Sequence, residues 1–363
     1  MRWAGFYLVF AIPALVVLGV TAGGWWSGAV VAFIFGAVPA FDAWLGHERR
    51  NPKADAAHAR AFDVPMMLWV VVQITVLAWW IARAADESLG LSSLQGPMGL
   101  GLALSTLSVG LMTGGIGITV AHELMHRKSR AERGLAEVLM SCVSYTHFCI
   151  EHVYGHHRHV ATPLDPASSR LGENVYRYLP RTITGGLASA WSIEAERMAK
   201  SGHGVWHPKN RMLRYAAVQL VIYTTLVLTL GGLAALLWAA QSVVAILLLE
   251  VINFVEHYGL ARRELAPGKY ERVQPRHSWN ASQRVSNWLL FNLQRHSDHH
   301  FLASRPYDVL RHFDDVPQLP AGYATMVLVA LVPPLWRRIM DPRVLALRDA
   351  QSDADARTQS VAA

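Results

Sequence analysis

Six apolar runs decide what this chain can fold into. They occupy residues 4–21, 25–45, 64–82, 98–120, 216–239 and 243–258, and crossing the hydrocarbon of a bilayer takes about 20 apolar residues. Inside lipid every backbone amide must be satisfied within the chain, so such runs have to be helices. The last run is short, but only a few residues separate it from its neighbour, which predicts a helical hairpin. The first follows Arg2, as in a secretory signal. It is long for one, however, and a second span follows at once, so it reads as a first transmembrane helix. Composition agrees: 52% of the 363 residues are hydrophobic and 16% charged, against about 25% charged in soluble domains.

The loops orient the spans. Segment 46–60 holds Arg49, Arg50, Lys53 and Arg60; the segment after the fourth run holds Arg127, Lys128, Arg130 and Arg133; the segment after the sixth holds Arg262, Arg263, Lys269 and Arg272. The connection 85–96 carries Asp86 and Glu87 and no basic residue. Loops that stay inside are rich in Lys and Arg, so the expected protein is a multi-pass protein of the inner membrane with both termini in the cytoplasm. The net charge of +7 then reflects these loops and not nucleic-acid binding. The expected fold class is all-α: one membrane domain over residues 1–348, with a cytoplasmic helical cap built from 127–214 and 260–319. Residues 323–336 are apolar but broken by Pro333 and Pro334, which suggests a re-entrant or interfacial segment, and 349–363 are small and polar and expected to be disordered.

The chemistry sits in the histidines. Nine of the 17 fall in four places: His122-x3-His126, His152-x3-His156-His157, His296-x2-His299-His300, and the lone His257. On an α-helix residues four apart share a face, so His122 and His126 can converge on one ion, as can His152 and His156, while His157 is turned away and can serve another. By the loop topology all four places meet at the cytoplasmic surface of the bilayer. Imidazole suits zinc, copper, iron and nickel; nine rings are too many for one ion and suit two. Glu123, Glu151, Asp165, Glu256 and Asp298 each lie near a cluster and are candidates to offset the charge or orient ring N–H groups. With two cysteines, Cys142 and Cys149, and no C-x-x-C pair, a thiolate site is not expected. The motif His122-Glu-Leu-Met-His126 also fits a zinc peptidase with Glu123 as general base, but that reading leaves most of the other rings without work. A metal transporter would place its ligands in mid-span, not at helix ends and in loops.

The boxes H-x3-H, H-x3-H-H and H-x2-H-H in a polytopic chain resemble the membrane fatty acid desaturase and hydroxylase superfamily. The stretches EHVYGHHRHVATPLDPASSRLGE from Glu151, NFVEHYGLAR from Asn253, LQRHSDHH from Leu293 and HSWN from His277 are similar to the alkane 1-monooxygenase family. Phe254 stands where that family leads one to expect Tyr. The resemblance implies six spans and a non-haem centre of two iron ions held by His122, His126, His152, His156, His157, His257, His296, His299 and His300. It implies hydroxylation of the terminal carbon of medium- to long-chain n-alkanes with O2 and two electrons. A fatty acyl desaturase or a methyl-aromatic hydroxylase of the xylene type is the alternative within the superfamily. No flavin or nicotinamide fingerprint is present, so the electrons are expected from a separate rubredoxin or ferredoxin and its NAD(P)H-dependent reductase. The remaining eight histidines read as structural or loop residues. An alkane would enter from the bilayer along an apolar channel, for which Ile34 and Phe35 of the second span are candidate lining residues.

Overall fold

The computed structural model describes residues 2–54, 56–86 and 96–362. Glu87 and most of the 85–96 connection used in the topology argument lie outside the described residues. Four apolar helices come first, α1 (Arg2–Ala22), α2 (Gly24–Leu45), α3 (Ala59–Ala85) and α4 (Gly99–Met125). The polar insertion that follows is helical as well: α5 (Arg130–Cys142), α6 (148–159) and α7 (Val175–Lys200). Two further apolar helices, α8 (Arg211–Leu230) and α9 (Gly232–His257), complete six that are long and apolar enough to cross a membrane. After them come a hairpin of β1 (Glu264–Ala266) and β2 (Lys269–Tyr270) and the helices α10 (Arg284–Leu289), α11 (His296–Phe301), α12 (Tyr323–Ala330) and α13 (Pro333–Ala362).

Local chemistry explains where the cap helices start. Asn174 and Asn210 each precede a helix, and their side-chain oxygens accept from Arg177 N at 3.0 Å and Met212 N at 2.8 Å, satisfying amides that a first helical turn leaves open. The start of α10 is capped from a distance: Asp42, near the end of α2, accepts from the amides of Val285 and Ser286 at 2.9 and 3.0 Å. This ties the second cap segment to the membrane helices.

The spans are unequal. In its most apolar window α4 is 83% buried and α8 only 11%, so α4 is the axis of the bundle and α8 lies at its rim. Small residues let the axis close up. A methyl on Gly110 would sit 2.5 Å from Cβ of Val244, and one on Gly114 would sit 2.6 Å from Cα of Ala245. This is the close backbone approach that small-x3-small spacing permits in lipid.

Two boundaries differ from the sequence reading. The turn between the last two spans falls at Gly231 (φ 87°) and not at 240–242. Gln241 and Ser242 look like a turn but lie inside α9, where Gln241 donates to the carbonyl of Cys142 at 2.8 Å and its carbonyl accepts from Thr113 at 2.9 Å. Buried partners, not water, satisfy the polar pair. Helix α13 takes in residues 349–362, which the sequence reading leaves unordered. Ala, Gln and Arg there are good helix formers, and neither Gly nor Pro interrupts them. Segment 323–336 is two helices meeting at Pro333, and its buried Tyr323, Met326 and Trp336 join a second core with Phe254 and Tyr258 at the end of α9.

Candidate metal centre

Four stretches of chain deliver imidazoles to one place. His122 and His126 come from the end of α4 and the residue beyond it, His257 from the last residue of α9, and His296, His299 and His300 from α11. Helix α6 brings His152, His156 and His157, and it is not wound as an α-helix: residues His152–His156 form a π turn in which the amide of His157 bonds the carbonyl of His152. Such turns are rare and concentrate at functional sites.

The nine rings sort into two groups. His122, His126, His152, His157 and His299 form one, and His156, His257, His296 and His300 the other; within each group the ligating atoms lie within 4.8 Å of one another. This corrects the sequence reading of α6. The pair with a shared target is His152 and His157, five apart, while His156 joins the second group, because the π turn brings residues i and i+5 together. In α11 the ordinary α spacing holds, and His296 and His300 share a group.

The atomic arrangement is that of metal ligands. In the first group Nε2 of His152 lies 3.1 Å from Nε2 of His126 and 3.0 Å from Nε2 of His157, which is 3.0 Å from Nε2 of His299. In the second, Nε2 of His296 lies 3.2 Å from Nε2 of His257 and 2.9 Å from Nε2 of His300. A ring nitrogen carries either one proton or one lone pair, so rows of three and four such atoms cannot all be paired by protons. A cation between them satisfies them together. Burial, reinforced by the neighbouring rings, holds His152, His157, His296, His299 and His300 far below the usual imidazole pKa, and burial pushes His126 down to about 4. Neutral imidazole is the form that binds metal. The residues present therefore fit two metal ions.

The five candidate carboxylates take different posts. Asp165 accepts from Nδ1 of His156 at 2.9 Å, with Ser168 Oγ at 2.7 Å and the amide of Ala167 at 3.0 Å completing its shell. This turns His156 so that its Nε2, buried and without a hydrogen-bond partner, faces the second group, the carboxylate–histidine–metal arrangement. Burial alone would raise the pKa of Asp165, but His156 and Ser168 outweigh it and the pKa is lowered. Glu256 places Oε2 3.3 Å from Nε2 of His296. Glu151 lies under the π turn against Gly155, with its pKa raised by burial and by Asp165.

The other two are brought elsewhere. Glu123 pairs with Arg127 at 3.0 Å and accepts from the amide of Tyr307. Asp298 holds Arg305 and Arg311, each at 2.9 Å. Glu123 fastens the 305–311 segment to α4, and Asp298 fastens it to α11. With Glu123 so occupied, and nine rings where a peptidase needs three protein ligands, the zinc peptidase reading loses its general base.

Sequence reasoning missed Glu250. It is fully buried in α9 and accepts from Tyr145 Oη at 2.9 Å, Thr182 Oγ1 at 2.8 Å and Asn253 Nδ2 at 3.2 Å. A lone carboxylate inside an apolar span was the available signal. The other histidines sit apart: His277 caps the turn after Gln274 and contacts Glu271, His312 bridges Ser282 and Asp314, and His203 stacks on His207.

Comparison with known proteins agrees with this geometry. The fatty acid desaturase family model matches residues 97–330, from the end of the undescribed connection through α12. The chain is 41% identical to alkane 1-monooxygenase 2 of Pseudomonas aeruginosa, over 92% of this chain and 90% of that one, and 38% identical to alkane 1-monooxygenase 2 of Alcanivorax borkumensis, over 97% and 91%. The chain belongs to the alkane 1-monooxygenase family. A methyl-aromatic relative is more distant: the xylene/toluene monooxygenase hydroxylase component of Pseudomonas putida is 28% identical over 91% of this chain and 86% of its own length. Membership in a family of membrane oxidoreductases accounts for the six spans and the histidine boxes together.

Proposed function

We propose that this protein is a membrane non-haem diiron monooxygenase that converts n-alkanes of medium to long chain to 1-alkanols. The observation that carries the reading is the sorting of nine rings, three from the ends of apolar spans and six from cap helices, into two groups. An alkane offers only a strong C–H bond, which no side-chain acid or nucleophile breaks. Two irons in these groups would supply O2 activation and C–H oxidation. The chain's own part is to hold and exclude. Asp165 keeps His156 in the tautomer whose lone pair points inward, and the buried rings keep water from the reacting carbon.

Substrate access has a physical basis. A narrow cavity of about 50 Å³ lies among α1, α2, α4 and α9, with Ile12, Ile34, Phe35, Ile116 and Ile252 in its wall. Ile116 precedes His122 by six residues and Ile252 precedes His257 by five, so the apolar wall reaches within roughly 8–9 Å of the ligands along each helix. An apolar wall at this place would guide an unbranched chain end-on, which favours the terminal carbon. Ile34 and Phe35, picked out from the sequence as channel candidates, both line it. Hydroxylation of an aromatic methyl group is the second reading, motivated by the more distant relative.

Electrons come from a separate rubredoxin or ferredoxin and its reductase at the cytoplasmic face of the inner membrane; the basic segments beside the cap support that orientation. The test is conversion of an alkane series and of m-xylene by membranes supplied with rubredoxin, reductase and NADH. The expected products are 1-alkanols, with iron and no zinc in the purified protein. A protein that carries zinc, or that oxidises m-xylene and no alkane, overturns the reading.

A further inference from the structure

Where the cap meets the rim of the bundle there is a large basic concavity that the proposed reaction does not use. Its volume is 1510 Å³, and eight Lys and Arg against two Glu line it, from α5, α6, α7 and the start of α8. It is a built feature. Glu194, fully buried in α7, pairs with both Arg197 and Arg211 and accepts from the backbone amide of Arg211 at 2.9 Å. These arginines hold its pKa down near 2 against the effect of burial, so the clamp stays charged. Arg211 in turn lies 5.2 Å over the ring of Tyr154. Among the described residues no carboxylate lies within ion-pair distance of Arg130, Arg158, Lys209 or Arg214.

The position of the concavity selects its occupant. Arg211 and Arg214 begin an apolar span, and from Arg214 an exposed stripe runs along α8 through Val218, Val221, Thr225 and Leu228, four or three residues apart and so on one face. Tyr154, 51% exposed, lines the concavity, as aromatic side chains do at headgroup level. Basic pockets between helices at the membrane surface bind anionic headgroups. A soluble acidic protein would match the charge, but the concavity lies where Arg211 and Arg214 begin an apolar span, the level that a lipid headgroup occupies.

We propose that this concavity seats the headgroup of an anionic phospholipid, its phosphate on the Arg130, Arg158 and Arg214 side and its acyl chains along the α8 stripe. The bound lipid braces α6, which carries His152, His156 and His157 immediately behind Tyr154. The experiment is native mass spectrometry of the purified full-length protein titrated with phosphatidylglycerol or phosphatidylcholine, without turnover, so its outcome is independent of the proposed reaction. The intact protein is expected to prefer phosphatidylglycerol about 25-fold, two charges at about fivefold each. The double variant R130Q/R214Q should lose that preference, at about fivefold per charge, and R130K/R214K should keep it. Equal binding of the two lipids by the intact protein overturns the proposal, whatever the variants do. So does a preference unchanged in R130Q/R214Q, or displacement of the lipid by millimolar inorganic phosphate.

Discussion

The two histidine groups are close neighbours built differently. The first has five rings, two of them only half-buried, His126 and His157. The second has four, all buried, and it is the one that carboxylates approach: Asp165 on the outer nitrogen of His156, and Glu256 3.3 Å from His296. An ion in the first group would be surrounded by ring nitrogens alone and lie nearer solvent. An ion in the second would have fewer rings, all of them buried, with two carboxylates close by. Fewer protein ligands leave more of a coordination sphere open, so under the proposed function the second group would take the greater share of O2 and substrate chemistry, and the first would be the better placed for electron entry.

That comparison can be broken. Removing one ring from the four-ring group should cost most: His257→Ala is expected to lose one of the two irons and to lower alkane turnover by more than the roughly 100-fold that losing an outer hydrogen-bond partner costs. Iron content and 1-alkanol formation check it. Asp165→Asn, which leaves every ring in place, should lower activity or iron affinity by about 10–100-fold, with the second group emptying first in a chelator titration. His126→Ala leaves four rings in its group and is expected to keep both irons and lose less activity than His257→Ala. If His126→Ala is the more damaging of the two, the groups are not ranked as their geometry ranks them. The mildest change is Ile34→Trp, which fills the cavity away from either group. It should shorten the longest alkane accepted while turnover of the shortest good substrate stays within about threefold, because a core-sized side chain blocks space without touching the chemistry. A product profile unchanged across the series would mean that α2 does not line the path.

Much of this was legible before any coordinates. Six spans could be read because each must be apolar over a bilayer's thickness, and all six appear. All nine predicted rings converge into the two groups. The misplaced turn between α8 and α9 shows the limit of hydropathy: Gln241 and Ser242 find partners on Thr113 and Cys142, which no local pattern reveals, while Gly231 was the true signal. Glu123 and Asp298 show the limit of proximity in sequence, because adjacent residues on a helix point about 100° apart and each was captured by an arginine.

By itself the sequence determined the number of spans and marked out, through its boxes and their family resemblance, the nine rings that the structure brings together, because spans depend on composition and boxes on spacing within single helices. Only the tertiary structure decided which ring joins which group, which carboxylates reach them, and where the apolar cavity runs. Those depend on a π turn in α6 and on contacts between segments more than 100 residues apart, such as His157 with His299, and no property of one segment contains them.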